Sequence, residues 1–128
     1  MNKKIVLTGL IFGIFAIILG AFGAHGLKQF LTTEQLSSFE TGVRYLMFHA
    51  FFLLFLASTN FILENDKKPV YYFTLFGTLF FSGSIFLLTT KNVIGMDFKF
   101  LGPVTPIGGL LLIAAWFWLF IKILNKKQ

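Results

Sequence analysis

Hydrophobic and polar positions separate along this chain on the scale of whole helices. Residues 5–24 contain no charged side chain, and about 20 such residues at about 1.5 Å each match a hydrocarbon core about 30 Å thick. Further apolar runs occupy residues 45–63, 70–90 and 104–124, the last with Lys122 close enough to its end to snorkel to the interface. The pattern predicts an all-α membrane protein, a single membrane domain over residues 1–128 built as a four-transmembrane-helix up-and-down bundle. Lys3 and Lys4 before an apolar run also suit a secretory leader. That run exceeds the roughly 7–15 residues of a signal-peptide core and no polar cleavage region follows, so a retained first span is expected.

The first connection, residues 25–44, is the longest. Thr32 with Gln35 three residues later fits a capping box, and Leu36, Phe39 and Val43 recur at helical spacing. They predict a short interfacial amphipathic helix between spans one and two, bending near Gly42 into span two. Within span one, Gly9, Gly13, Ala16, Gly20 and Gly23 fall in a narrow arc at about 100° per residue, with Phe12, Phe15, Ile18 and Phe22 away from it. Small residues let helix backbones approach closely, so this is the expected helix-packing face. Gly77 and Ser84 repeat the device on one face of span three.

Composition removes the soluble alternative. The 128 residues are 56% hydrophobic and 12% charged, with a mean hydropathy of +0.82, more apolar surface than a small domain buries by itself. The net charge of +6 resides in lysines that flank apolar runs and meet lipid headgroups, so it does not point to nucleic acid. The partners expected are membrane lipids, a second copy in a homo-oligomer, or another membrane protein. With the N-terminus inside, Lys3, Lys4, Lys67, Lys68, Lys122, Lys126 and Lys127 lie on the inner side, and Lys28, Arg44, Lys91 and Lys99 on the outer. This bias predicts a multi-pass protein of the cell membrane with both termini cytoplasmic.

Ionisable side chains near hydrocarbon are the candidate site. His49 lies one turn inside the expected start of span two. Asn60 returns to within about 20° of the same face, which is therefore expected to meet protein. With no carboxylate on that face, His49 is expected to be neutral, to face span one or four, and to hydrogen-bond within the bundle. His25 ends span one, at the negative end of the helix dipole, with Gly26 as a left-handed cap. Glu40 and Arg44 have the i, i+4 spacing of an ion pair. His25, Glu40, Arg44, Tyr45 and His49 together form the candidate functional cluster at the outer membrane face, although Arg44 and His49 point about 140° apart on a straight helix.

Two histidines raise haem or metal ligation as an alternative. Neither stands in a ligand-spaced motif, so no metal or other cofactor is expected. The absence of cysteine also excludes disulfides, thiolate catalysis and covalent c-type haem attachment. The chain lacks a GxSxG motif, a phosphate-cradling glycine loop and an intramembrane carboxylate pair, and no catalytic residue is assigned. Before span four, two prolines and flanking glycines predict a rigid turn of Pro103, Pro106, Gly108 and Gly109, with a ligand-lining re-entrant turn as the sharper reading.

Four segments taken together, GAFGAHGL at 20–27, FETGVRYLMFHA at 39–50, FSGSIFLL at 81–88 and LGPVTPIGG at 101–109, resemble a family of small bacterial membrane proteins. The family is domain of unknown function 423, also called uncharacterised protein family 0382, and the resemblance spans nearly the whole chain. It implies a four-span inner-membrane protein whose activity is unassigned, with His25, Glu40, Arg44, Tyr45, His49, Ser84, Pro103, Pro106, Gly108 and Gly109 matching the family pattern. It supplies no catalytic roles. The expected function is thus non-enzymatic binding of a lipid or a partner. The alternatives are a small oligomeric transporter or pore, and a haem- or metal-binding protein using His25 and His49.

Overall fold

A computed structural model describes residues 1–126; Lys127, one of the lysines in the orientation bias, lies outside them. The described residues contain four helices long and apolar enough to cross a membrane. They are α1 (Asn2–His25), α2 (Thr33–Ser58), α3 (Glu64–Thr89) and α4 (Val104–Leu124).

The capping box starts α2: the Gln35 amide donates to Thr32 Oγ1 at 3.1 Å and the Thr32 amide to Gln35 Oε1 at 3.0 Å. The helix it starts runs without interruption to Ser58, so the amphipathic segment is the first part of α2 and not a separate element. Gly42 serves contact instead of bending, since a Cβ there would lie 2.7 Å from the Phe86 ring. At the other end Ser58 Oγ bonds back to the Leu54 carbonyl and Thr59 is extended. The helix therefore stops before the apolar run does, and Asn60 is exposed outside it, off the His49 face.

Two further expectations change. Gly26 is right-handed, with φ −71°, because the chain turns on through Leu27, whose buried side chain packs with Leu31 and Phe39. Gly108 and Gly109 belong to α4 itself, not to the turn before it. Pro106 is tolerated in the first helical turn, where its missing N–H has no intrahelical partner, and the helix begins two residues earlier.

The helices form two tight hairpins. In the first, the small-residue face of α1 lies on α2: a Cβ on Gly9 would sit 3.0 Å from the Ala50 carbonyl oxygen, one on Gly20 3.4 Å from Val43, and one on Gly23 3.0 Å from the Phe39 ring. Phe12 is buried as well. It lies only about 60° from the centre of the glycine arc and forms the edge of the same face. In the second hairpin, Gly77 of α3 meets Leu112, and a Cβ on Gly108 of α4 would come within 2.8 Å of Phe81 Cα. Phe81 belongs to a π-helical turn, Leu79–Gly83, which interrupts α3.

The hairpins join along α2 and α3. Ser82 Oγ donates to the Gly42 carbonyl at 2.8 Å, and Phe39 packs on Phe86 with ring centroids 5.1 Å apart. Thr8 and Tyr71 exchange a hydroxyl bond of 2.8 Å between α1 and α3. Ile5, Leu46, Leu53, Leu56, Val70 and Ala115 fill the centre, while Ile14, Ile17, Leu110, Phe117 and Phe120 face outward, as lipid contact requires.

Candidate functional site

Between α2 and α4 the contact is made by large side chains. His49 is buried, at 4% exposure. The Trp116 indole donates from Nε1 to His49 Nε2 at 3.0 Å, and His49 Nδ1 lies 2.7 Å from the Tyr45 carbonyl oxygen. An indole nitrogen can only donate, so Nε2 carries the lone pair and Nδ1 the proton: a neutral imidazole with its tautomer fixed by both neighbours. Phe52 packs on Trp116 at 4.4 Å and Tyr45 on Phe81 at 4.9 Å between centroids.

This pair lies deep. Ala50, the residue after His49, touches the positions of both Gly9 and Gly13, in the first half of the uncharged run 5–24 of α1 and well away from its outer end at Ala24. The level of His49 therefore lies about 18 Å along α1 from its His25 end, deeper than one turn below that end; the early start of α2 at Thr33 accounts for the difference.

The candidate outer cluster is correspondingly dispersed. Glu40 precedes His49 by nine residues, about 13 Å along the helix. No Glu40–Arg44 ion pair forms among the described residues. Arg44 Nη2 donates instead to Thr41 Oγ1 at 3.0 Å, and both charged side chains are exposed. His25 is exposed at the end of α1, twelve residues from Gly13, which places it about 18 Å from the level of His49. The two histidines cannot share one metal or haem iron across that distance, and no group of three His, Cys, Asp or Glu converges among the described residues. Only Tyr45 and His49 of the five come together. Ser84 bonds with the Thr105 hydroxyl and fastens the start of α4 to α3.

Two open spaces flank Trp116. One, of about 640 Å³, is lined by Tyr45, His49, Phe81, Gly109, Leu112, Ile113, Trp116, Phe117 and Phe120. The other, of about 400 Å³, is lined by Phe48, Phe51, Phe52, Phe55, Trp116, Leu119, Phe120 and Ile123. Trp116 and Phe120 belong to both, so together they make one aromatic groove along α2 and α4.

Sequence reasoning did not find Lys67 or Trp116. The sequence presents Lys67 as one more orientation charge, yet its side chain is fully buried. Its ammonium meets Asn2 Oδ1 at 3.1 Å, the Ala57 carbonyl at 3.2 Å and Glu64 Oε1 at 3.2 Å, tying three helices together at one end of the bundle. Tyr71, Thr74, Thr78 and Ser82 continue a buried polar stripe from Lys67 along α3. That helical spacing was visible in the sequence. Among them, Thr78 Oγ1 has no hydrogen-bond partner among the described residues.

The arrangement defines a small polytopic membrane protein: four spanning helices, an outward-facing aromatic groove, and within it a hydrogen-bonded pair of a buried His49 and a half-exposed Trp116. The chain belongs to the family described as Protein of unknown function (DUF423), which matches residues 19–109. It is similar to the UPF0382 membrane protein SSP2132 of Staphylococcus saprophyticus, 34% identical over 93% of this chain and 95% of the relative. It is also similar to the UPF0382 membrane protein YwdK of Bacillus subtilis, 33% identical over 89% of this chain and 90% of the relative. The UPF0382 inner membrane protein YgdD of Escherichia coli is 27% identical over 99% of this chain and 94% of its own length. No solved structure matches the chain.

Proposed function

We propose that this is a non-enzymatic lipid-binding protein of the bacterial cell membrane, with both termini cytoplasmic, that holds an apolar chain in the groove between α2 and α4. One observation carries the reading. The groove walls are aromatic and aliphatic, and the indole N–H and imidazole within them satisfy each other. An acyl chain can therefore lie against them without stranding a buried donor or acceptor.

Quenching of Trp116 by phospholipids with brominated acyl chains tests this, in a Trp118→Phe background so that one indole reports. Quenching should saturate at low lipid fraction, and Ile113→Trp in the same background, which fills the groove, should weaken lipid retention in native mass spectrometry without lowering folded yield. Quenching that rises only in proportion to bulk lipid would defeat the proposal. For orientation, reporter fusions after Lys68 and at Gln128 should read cytoplasmic and fusions near Gln35 and Asn92 external; the reverse pattern would refute it.

A further inference from the structure

We infer that the end of the groove near Lys126 is a headgroup site, and that its occupant is an anionic phospholipid of the leaflet at that end of the bundle. The inference rests on the lipid-binding reading and adds the chemistry of the headgroup. Leu119 and Ile123 line the groove on α4, and Lys126 follows Ile123 by three residues, just past the end of that helix at Leu124. Next to Ile123 in the chain, Lys122 belongs to a separate polar recess of about 410 Å³ bounded by Ile62, Leu63, Asp66, Lys122, Asn125 and Lys126, which shares no lining residue with the groove but lies at the same end of α4.

The charges in that recess do not balance. Lys122 Nζ lies 3.6 Å from Asp66 Oδ1, whereas Lys126 donates to the Asn60 carbonyl, a neutral partner, and makes no ion pair among the described residues. Among the described residues one positive charge is left over beside the Asn125 amide, which suits a phosphodiester headgroup of net negative charge better than a zwitterionic one whose own ammonium would oppose Lys126.

The dimensions agree with this. Trp116 lies eight residues before the end of α4 at Leu124, about 12 Å along the helix, and Lys126 follows two residues past that end, a span close to half of a hydrocarbon core of about 30 Å. A phosphate at Lys126 thus lets one acyl chain follow Phe55 and Phe51 to Trp116 at the depth where its leaflet ends.

The test compares phosphatidylglycerol and phosphatidylcholine carrying identical brominated chains, each titrated against the full-length Trp118→Phe protein with Trp116 as reporter. Phosphatidylglycerol should half-saturate quenching at a lipid fraction about fivefold lower, the size of one basic residue's effect near an anionic surface. Lys126→Gln should abolish that preference and leave phosphatidylcholine quenching unchanged, and Lys68→Gln should preserve it. Soluble glycerophosphate should not compete, since the phosphate alone lacks the chain. Equal affinities for the two lipids, or a preference that survives Lys126→Gln, would overturn the headgroup site while leaving the groove intact. Absence of saturable quenching by either lipid would overturn the groove reading and the headgroup site with it.

Discussion

If the Trp116–His49 hydrogen bond holds α2 to α4, a double-mutant cycle on the two residues should show coupling. Trp116→Phe keeps an aromatic ring against Phe52 but removes the donor at 3.0 Å, leaving Nε2 without a partner. His49→Leu removes the acceptor and strands the indole N–H; the Tyr45 carbonyl loses only its bond from Nδ1, because it also accepts the backbone bond of the helix. A buried polar group left unpaired costs about 1–3 kcal/mol, but hydrogen bonds between membrane helices average about 0.6 and reach about 1.7 kcal/mol. Each single variant should therefore lose about 1–2 kcal/mol, and the double variant should lose less than their sum by about 0.5–1.5 kcal/mol. His49→Gln, which retains a side-chain acceptor, should fall within about 0.5 kcal/mol of the parent. Unfolding in mixed micelles followed by circular dichroism avoids reliance on the altered tryptophan. Additivity of the single variants within about 0.3 kcal/mol would refute the coupling.

Glycine positions should differ sharply: Gly108→Ala drives a methyl group into the Phe81 backbone and should cost about 1–3 kcal/mol, whereas Gly83→Ala meets nothing within 4 Å and should be tolerated. The folded fraction on size exclusion reads both. Thr78→Val should hold or raise thermal stability in detergent because its hydroxyl has no partner, while Thr8→Val should lower it by about 0.5–1.5 kcal/mol through loss of the Tyr71 bond. Lys67→Met should strand the Ala57 carbonyl and Asn2 and cost on the order of 1–3 kcal/mol in the same assay, discounted for Glu64, which is largely exposed. A Lys67→Met protein as stable as the parent would show that the buried ammonium does not hold this end together.

The spans were legible because hydrophobic length is a local property: the uncharged run 5–24 reappears within α1, and 104–124 coincides with α4. The capping box was legible for the same reason, being a contact between residues three apart. What the sequence concealed depends on neighbours. The depth of His49 follows from where Ala50 meets Gly9 and Gly13, and a start of span two at Tyr45 instead of Thr33 moved it wrongly to the interface. Lys67 resembled the other flanking lysines because only folding brings Asn2 and the Ala57 carbonyl to its ammonium. The π-helical turn at Leu79–Gly83 leaves no composition signal, although Gly108 makes its closest contacts with it and Ser82 donates from it to the Gly42 carbonyl.

The groove and the hairpins have one physical origin, the distribution of residue size over the helix faces. Where glycine lines a seam, as on α1 or at Gly77 and Gly108, backbones close to contact and exclude lipid. Between α2 and α4 the facing residues are His49, Phe52 and Trp116, and rings of that size hold the helices apart while filling only the middle of the gap. Space therefore remains on both sides of Trp116 and opens toward lipid, since Phe51, Phe117 and Phe120 are exposed. A bundle built only for stability would close this seam with small residues as it does the other two. Replacing rings by glycine here would remove the aromatic walls and the polar pair together, so the same residues that keep α2 and α4 apart give the groove its lining.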